Sequence, residues 1–212
     1  PTLGYLYTTW NDSAGPFIGG KGDVWKYAIA TSTWTRISPV SSSDPALTWG
    51  YNGIGIDRSN PSTLMVGTQS SYDPDGAVWR SVDGGATWSK SWDYTNNGTS
   101  RSFRTVLDVS AAPWMSNPGT YTAPQYNIHL GTAIDGISVD PFNSNNVFVS
   151  GGWAGLWRST NLTDWVPGGS GTCTFTIGSR GIQGNGISDM ISPPSGAPLV
   201  TVMLDLGGFR HT

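Results

Sequence analysis

The stretch Val78 to Trp88, VWRSVDGGATW, sets an Asp and two Gly residues between a pair of tryptophans. Val78, Trp79 and Arg80 read as the end of a strand. Asp83-Gly84-Gly85 is turn chemistry, and Thr87-Trp88 restarts an extended run, so the unit is a β-hairpin. Asp83 can turn its carboxylate onto the backbone N–H groups of its own turn, and the glycines supply the positive φ that such a turn needs. Its expected role is that of a structural brace.

Working outward, VWKYAIATSTW (Val24 to Trp34) aligns without gaps on this hairpin, and LWRSTNLTDW (Leu156 to Trp165) keeps Trp-Arg-Ser and the closing Trp in one residue fewer. A second element also recurs. GIGIDRSNPSTLMVGT (Gly53 to Thr68) matches GISVDPFNSNNVFVSG (Gly136 to Gly151), and MISPPSGAPLVTVMLD (Met190 to Asp205) resembles a further copy. Each is strand, turn, strand, and the two elements together make a four-stranded unit. The expected fold class is therefore all-β, built from β-propeller blades of four-stranded antiparallel sheets, in an incomplete arc of about three to four blades. The organisation expected is one propeller segment over 1–212, with a partial blade at 1–40, blades at 47–95 and 102–168, and a partial blade at 180–212. The third of these carries a loop insert at 111–131.

Composition agrees with that reading. Gly at 29, Pro at 14, Trp at 11 and Tyr at 8 describe short strands and many turns, with almost no helix. Charged residues are only 12% and the net charge is −3, so there is no basic stripe for nucleic acid and no polybasic run for a membrane. All 14 acidic residues are Asp, so carboxylate chemistry in this chain must use Asp. Cys173 is the single cysteine, and His129 and His211 lie far apart, which offers no metal-ligand spacing. Three sequons, at Asn11, Asn97 and Asn161, fit a secreted, extracellular glycoprotein. No apolar run approaches a membrane span, and the chain begins at Pro1 without a signal peptide, which reads as processing or excision.

SVDGGATW fits the Asp-box pattern Ser-x-Asp-x-Gly-x-Thr-Trp, carried here by Ser81, Asp83, Gly85, Thr87 and Trp88. The pattern marks a fold rather than an activity. Around it, the series GDVWKY, VWRSVDGGATW, DVSAAPW, VDPFNSNNVF, STNLTDW and ISPPSGAPLVTVMLDLGGFRH resembles, in this order, glycoside hydrolase family 74 xyloglucanases and related β-1,4-glucan hydrolases. The resemblance runs over nearly the whole chain. It implies two seven-bladed propellers with a substrate cleft between them, and inverting cleavage of β-1,4-glucan backbones, chiefly xyloglucan, without a cofactor. It places this chain in the later blades of the first propeller and both catalytic carboxylates outside it. The implied partners are plant cell-wall polysaccharide or oligosaccharide and the remaining blades of the parent protein or another chain.

Within the chain, LDLGGFRH makes Asp205 a catalytic candidate by resemblance to the family's early Asp-(Ile/Val)-Gly-Gly motif. Asp135, just before a core strand, is the other Asp that could reach a cleft. An inverting hydrolase needs an acid and a base roughly 6.5–9.5 Å apart with a water between them. Asp57, Asp83 and Asp140 sit at repeat positions and are expected to be scaffold, while Asp73 and Asp75 read as an exposed loop. Trp25, Trp34, Trp79, Trp88, Trp157 and Trp165 recur with the repeat and are expected to pack between blades. Trp10, Trp49, Trp114 and Trp153 do not recur, so they are the candidates for stacking on glucosyl faces. The rival readings are a carbohydrate-binding, lectin-like propeller and an Asp-box scaffold that binds polypeptide.

Overall fold

In the computed structural model the described residues are 4–13, 19–71, 75–95, 100–112, 130–151, 155–179, 187–203 and 207–211. Trp114, Trp153, Asn97, Asp73 and Asp205 lie outside them. The chain divides into two compact units, Pro1–Arg180 and Gly181–Thr212.

In the first unit, β1 (Tyr5–Asn11), β2 (Gly22–Ala28) and β3 (Thr33–Arg36) form an antiparallel sheet in chain order. A second antiparallel sheet follows from β4 (Gly50–Ile56), β5 (Leu64–Gln69), β6 (Val78–Ser81) and β7 (Ser89–Lys90), again in chain order. The pair β8 (Trp92–Thr95) and β9 (Ser100–Phe103) is a separate hairpin. The third sheet has the order β10-β14-β13-β12-β11, from β10 (Thr105–Asp108), β11 (Gly136–Val139), β12 (Val147–Ser150), β13 (Leu156–Ser159) and β14 (Cys173–Ile177).

Four of those five strands are the antiparallel blade the repeats imply. The fifth is an addition that they do not encode, since β10 pairs with β14 in parallel, Thr105 opposite Cys173. It closes an outer edge whose unpaired N–H and C=O groups would otherwise be open to other chains. Among the described residues the one helical element is a 3-10 turn at Leu162–Asp164, and no helix is long and apolar enough to cross a membrane.

The turn chemistry repeats as the strands do. Asp57 Oδ1 accepts the N–H groups of Ser59 and Asn60 at the β4–β5 turn. Asp140 Oδ1 accepts the Phe142 N–H, and its Oδ2 accepts Asn146 Nδ2, at the β11–β12 turn. Both carboxylates satisfy donors that a tight turn leaves over.

Sheets in this unit meet face to face. Val24 and Ile37 of the first sheet region pack with Tyr51, Leu64 and Val66 of the second. Met65 and Val78, on the other face of the second sheet, join Val147, Val149, Trp157, Trp165 and Phe175 in a larger core. Alternation along each strand is what lets one sheet feed two cores. Trp157 and Trp165 are fully buried, whereas Trp34, at the same repeat position as Trp165, is 47% exposed. The repeat fixes where the ring sits on its sheet, and only a covering neighbour buries it.

The second unit is an antiparallel sheet of β15 (Ile187–Ile191), β16 (Leu199–Met203) and β17 (Gly207–His211), with a register shift between Ile187 and Asp189.

Candidate functional site

At one end of the first unit the chain brings the start of β4, the end of β5 and the approach to β11 together. Gly53 N–H donates to Ile134 O at 2.7 Å, Ile134 N–H to Thr68 O at 2.9 Å, and Ser71 N–H to Thr132 O at 3.0 Å. The end of β1 arrives at the same place, where Asn11 Nδ2 donates to Tyr51 O at 2.7 Å and Thr9 Oγ1 to Asn52 O at 2.6 Å.

A polar cluster stands on this framework. Asn52 Nδ2 donates to Gln69 Oε1 at 3.1 Å and to Asp135 Oδ1 at 2.9 Å. Gln69 is buried and Asp135 exposed, so a fixed amide pair holds a carboxylate toward solvent. Carboxylate and amide oxygens arranged in this way accept hydrogen bonds from hydroxyl-rich ligands.

Asp75, expected from composition in an exposed loop, belongs to the same end and is buried. It is 3% exposed, because its carboxylate accepts the N–H groups of Leu130 (2.6 Å), Gly131 (3.2 Å) and Gly76 (2.8 Å). That ties the β5–β6 loop to the segment leading into Asp135. No side chain fits where these segments cross, since a Cβ on Gly76 would lie 1.8 Å from Gly131 O and one on Gly131 would lie 1.8 Å from Gly151 O. The three partners are 1 to 56 residues from Asp75 in the chain, and no spacing in the sequence announces them.

The sequence candidates that fall in the described residues do not converge on one pocket. Trp49 is half-buried, edge-on to Tyr51 with ring centroids 5.3 Å apart, and packs against the core between the first two sheets. Trp10 is 61% exposed, and its indole N–H donates to Thr8 Oγ1 at 2.8 Å. It shares an apolar hollow of about 320 Å³ with Trp25 and Trp34, on the face of the first sheet that points away from the second. Asp135 sits with Asn52 and Gln69 instead.

The Asp box lies at the opposite end of its sheet. Ser81 Oγ donates to Asp83 Oδ1 at 2.8 Å and accepts the Gly85 N–H at 2.9 Å. Thr87 donates its N–H to Asp83 Oδ1 at 2.9 Å and its hydroxyl to Oδ2 at 2.6 Å. Desolvation acts to raise the Asp83 carboxyl, but donation from Thr87, Ser81 and the Ala86 N–H outweighs it and holds the group at about 2. Gly85 has φ +89°, and a Cβ there would meet Ile37 Cδ1 at 2.6 Å. Trp88 Nε1 donates to Ile37 O at 2.8 Å. The motif thus closes its own hairpin and anchors it to the preceding sheet.

Both sequon asparagines in the described residues use their amide nitrogens, Asn11 on Tyr51 O and Asn161 on Asp164 Oδ2 at 2.9 Å. Cys173 is a buried free thiol, pushed up to about 12 by burial. Among the described residues no group of three His, Cys, Asp or Glu could hold a metal ion.

Repeated antiparallel sheets, face-to-face packing and an Asp box on an outer hairpin define a β-propeller-type protein of the Asp-box class. No family model matches the chain, but relatives do. A xyloglucanase from a Paenibacillus species is 38% identical over 208 residues, covering 98% of this chain and 20% of that protein. Xyloglucanase Xgh74A from Acetivibrio thermocellus is 39% identical over 210 residues, covering 98% and 24%. The chain matches the solved GH74 xyloglucanase from Xanthomonas campestris at a TM-score of 0.72 and 27% identity, covering 99% of this chain and 27% of that one. Over 98% of its length the chain matches a segment of the glycoside hydrolase family 74 xyloglucanases. It spans about a fifth to a quarter of the curated relatives it matches.

Proposed function

We propose that this chain is part of a secreted glycoside hydrolase that cleaves β-1,4-glucan backbones, xyloglucan foremost, by inversion. Its contribution is a wall of the substrate cleft. The observation that carries this reading is the 38–39% identity to xyloglucanases along 98% of the chain. The Asn52–Gln69–Asp135 cluster supplies the chemistry a glucan needs. Asp135, braced by Asn52, accepts hydrogen bonds from glucosyl hydroxyls, and Trp10 offers an exposed ring of the kind that stacks on a sugar face. The acid and base required for inversion come from carboxylates outside the described residues, with Asp205 the candidate in this chain. The remaining blades of the parent protein are the other partners.

Isothermal titration of the 212-residue chain with a xyloglucan oligosaccharide, alongside a reducing-end assay on polymeric xyloglucan, tests this. Binding without release of reducing ends is the expected result, with Asp135→Ala at least tenfold weaker. Failure of the native chain to bind xyloglucan and unsubstituted β-1,4-glucan oligosaccharides at millimolar concentration would sink the reading. Equal binding by Asp135→Ala would remove the cluster from it.

A further inference from the structure

Among the described residues, two other than glycine take a positive φ, Ser32 at +52° and Ser70 at +55°. Ser32 lies in the exposed β2–β3 turn, an ordinary place for a left-handed residue. Ser70 is 6% exposed and directly follows Gln69, the last residue of β5. A left-handed serine in a buried place is strained and persists only where its surroundings hold it.

Those surroundings are the framework of the polar cluster, and three consecutive residues each grip a different segment of it. Gln69 Oε1 accepts Asn52 Nδ2 from β4 at 3.1 Å. Ser70 Oγ accepts the Gly19 N–H from the β1–β2 loop at 3.0 Å. Ser71 donates its N–H to Thr132 O at 3.0 Å and its hydroxyl to Asp75 O at 3.0 Å. Extended backbone would send successive side chains to alternate faces of one sheet. The left-handed step at Ser70 turns the chain out of the sheet, so that neighbours in sequence serve three segments.

The opposite strand is irregular at the same place. From Tyr51 to Ile54 β4 advances three residues while its partners pass from Thr68 to Val66, two residues, so one extra residue bulges at Asn52–Gly53. A bulge re-aims the side chain it carries, here Asn52, whose amide meets both Gln69 and Asp135 Oδ1. On its other side Gln69 is backed by the β1–β2 loop, where a Cβ on Gly19 would lie 2.9 Å from Gln69 Cγ and 2.8 Å from Ser70 Oγ. The direction of the Gln69 amide is therefore set by the backbone that carries it.

We propose that Ser70 is a positioning residue of the Asn52–Gln69–Asp135 cluster: its left-handed backbone fixes Gln69 so that the amide holds Asn52, and through Asn52 the Asp135 carboxylate, where a glucan hydroxyl donates. This rests on the cluster being the sugar-binding wall. The backbone at position 70 does the holding, and the hydroxyl bond to Gly19 is not required for it.

Two variants separate backbone from hydroxyl. Ser70→Gly removes the hydroxyl and keeps the conformation, since Gly takes positive φ without steric cost. Ser70→Thr keeps the hydroxyl and penalises the conformation, since a β-branched residue is an outlier there. In titration of the 212-residue chain with a xyloglucan oligosaccharide, Ser70→Gly is expected to bind within about twofold of the native chain and Ser70→Thr about fivefold or more weaker. The side-chain amide resonances of Asn52 and Gln69, in proton–nitrogen correlation spectra of the free chain, report the cluster with no sugar present. They are expected to stay in place in Ser70→Gly and to move or broaden in Ser70→Thr. Native resonances and affinity in Ser70→Thr, or a Ser70→Gly that disturbs them as much as Ser70→Thr does, would overturn the proposal. A native chain that binds no glucan oligosaccharide while the resonances follow the expected pattern supports the positioning and sinks the sugar-binding reading alone. Near-ultraviolet dichroism confirms that both variants are folded. If Ser70→Thr is not, Ser70→Ala takes its place and is expected to disturb the amides more than Ser70→Gly, because the two differ only in the Cβ that disfavours positive φ.

Discussion

Asn161 Oδ1 accepts the hydroxyl hydrogen of Ser159 at 3.1 Å, the contact that Asp83 Oδ1 accepts from Ser81 at 2.8 Å one repeat earlier. The Asn161 N–H points back to Ser159 Oγ as the Asp83 N–H does to Ser81 Oγ. The third repeat has lost both glycines but kept the brace, with a neutral amide in place of the carboxylate. Asn161→Asp keeps the Oδ1 acceptor but sets a carboxylate where Nδ2 donates to Asp164 Oδ2, so it is expected to be less stable than the native chain at pH 7, and Asn161→Ala is expected to cost about 1 kcal/mol through its unmade hydrogen bonds. Urea midpoints of the two variants check this.

The Asp83 brace carries a pH signature that the Asn161 brace lacks. Its folded carboxyl titrates at about 2, while an unfolded Asp titrates at about 3.9. The folded value is depressed, so the contribution is complete above about pH 4 and is lost as pH falls toward 2. Asp83 is exposed, so screening by solvent limits the gain to about 1 kcal/mol or less. The urea midpoint of Asp83→Asn is expected to lie below that of the native chain at pH 7 and to converge on it near pH 2.

Arg80 joins two sheets from a buried position. Desolvation lowers its pKa, and its Nη1 donates to the Trp165 carbonyl. Arg80→Ala leaves a cavity and an unanswered carbonyl, with an expected loss of about 3 kcal/mol. Arg80→Met keeps most of the packing and is expected to lose less than half as much. Thermal unfolding followed by tryptophan fluorescence separates the two.

Tryptophans at one repeat position are expected to differ widely in cost. Trp165 is fully buried, and Trp165→Ala is expected to destabilise by about 3–5 kcal/mol. Trp34 is 47% exposed, and Trp34→Ala is expected to move single-chain stability by about 0.5–1 kcal/mol. Denaturant titration at low protein concentration reads both.

The buried Cys173 thiol, pushed up to about 12, is protonated and out of reach at neutral pH, so a thiol reagent is expected to modify it only as the chain unfolds. Measuring the labelling rate against urea concentration tests this.

The all-β class, the hairpin units, the Asp-box turn and the family resemblance are legible in the residues alone. These rest on local chemistry: glycines at positive φ, Asp beside its own turn donors, and a Trp-turn-Trp period recur within a few residues and read directly. Tertiary structure decided the rest. Asp135 meets Asn52 across 83 positions, Asp75 is buried by Leu130 and Gly131 more than 50 residues away, and β10 joins the edge of β14 in parallel. Trp34 and Trp165 have the same local pattern and opposite burial, because burial depends on which sheet arrives at the face, and that is a property of long-range packing and not of the repeat.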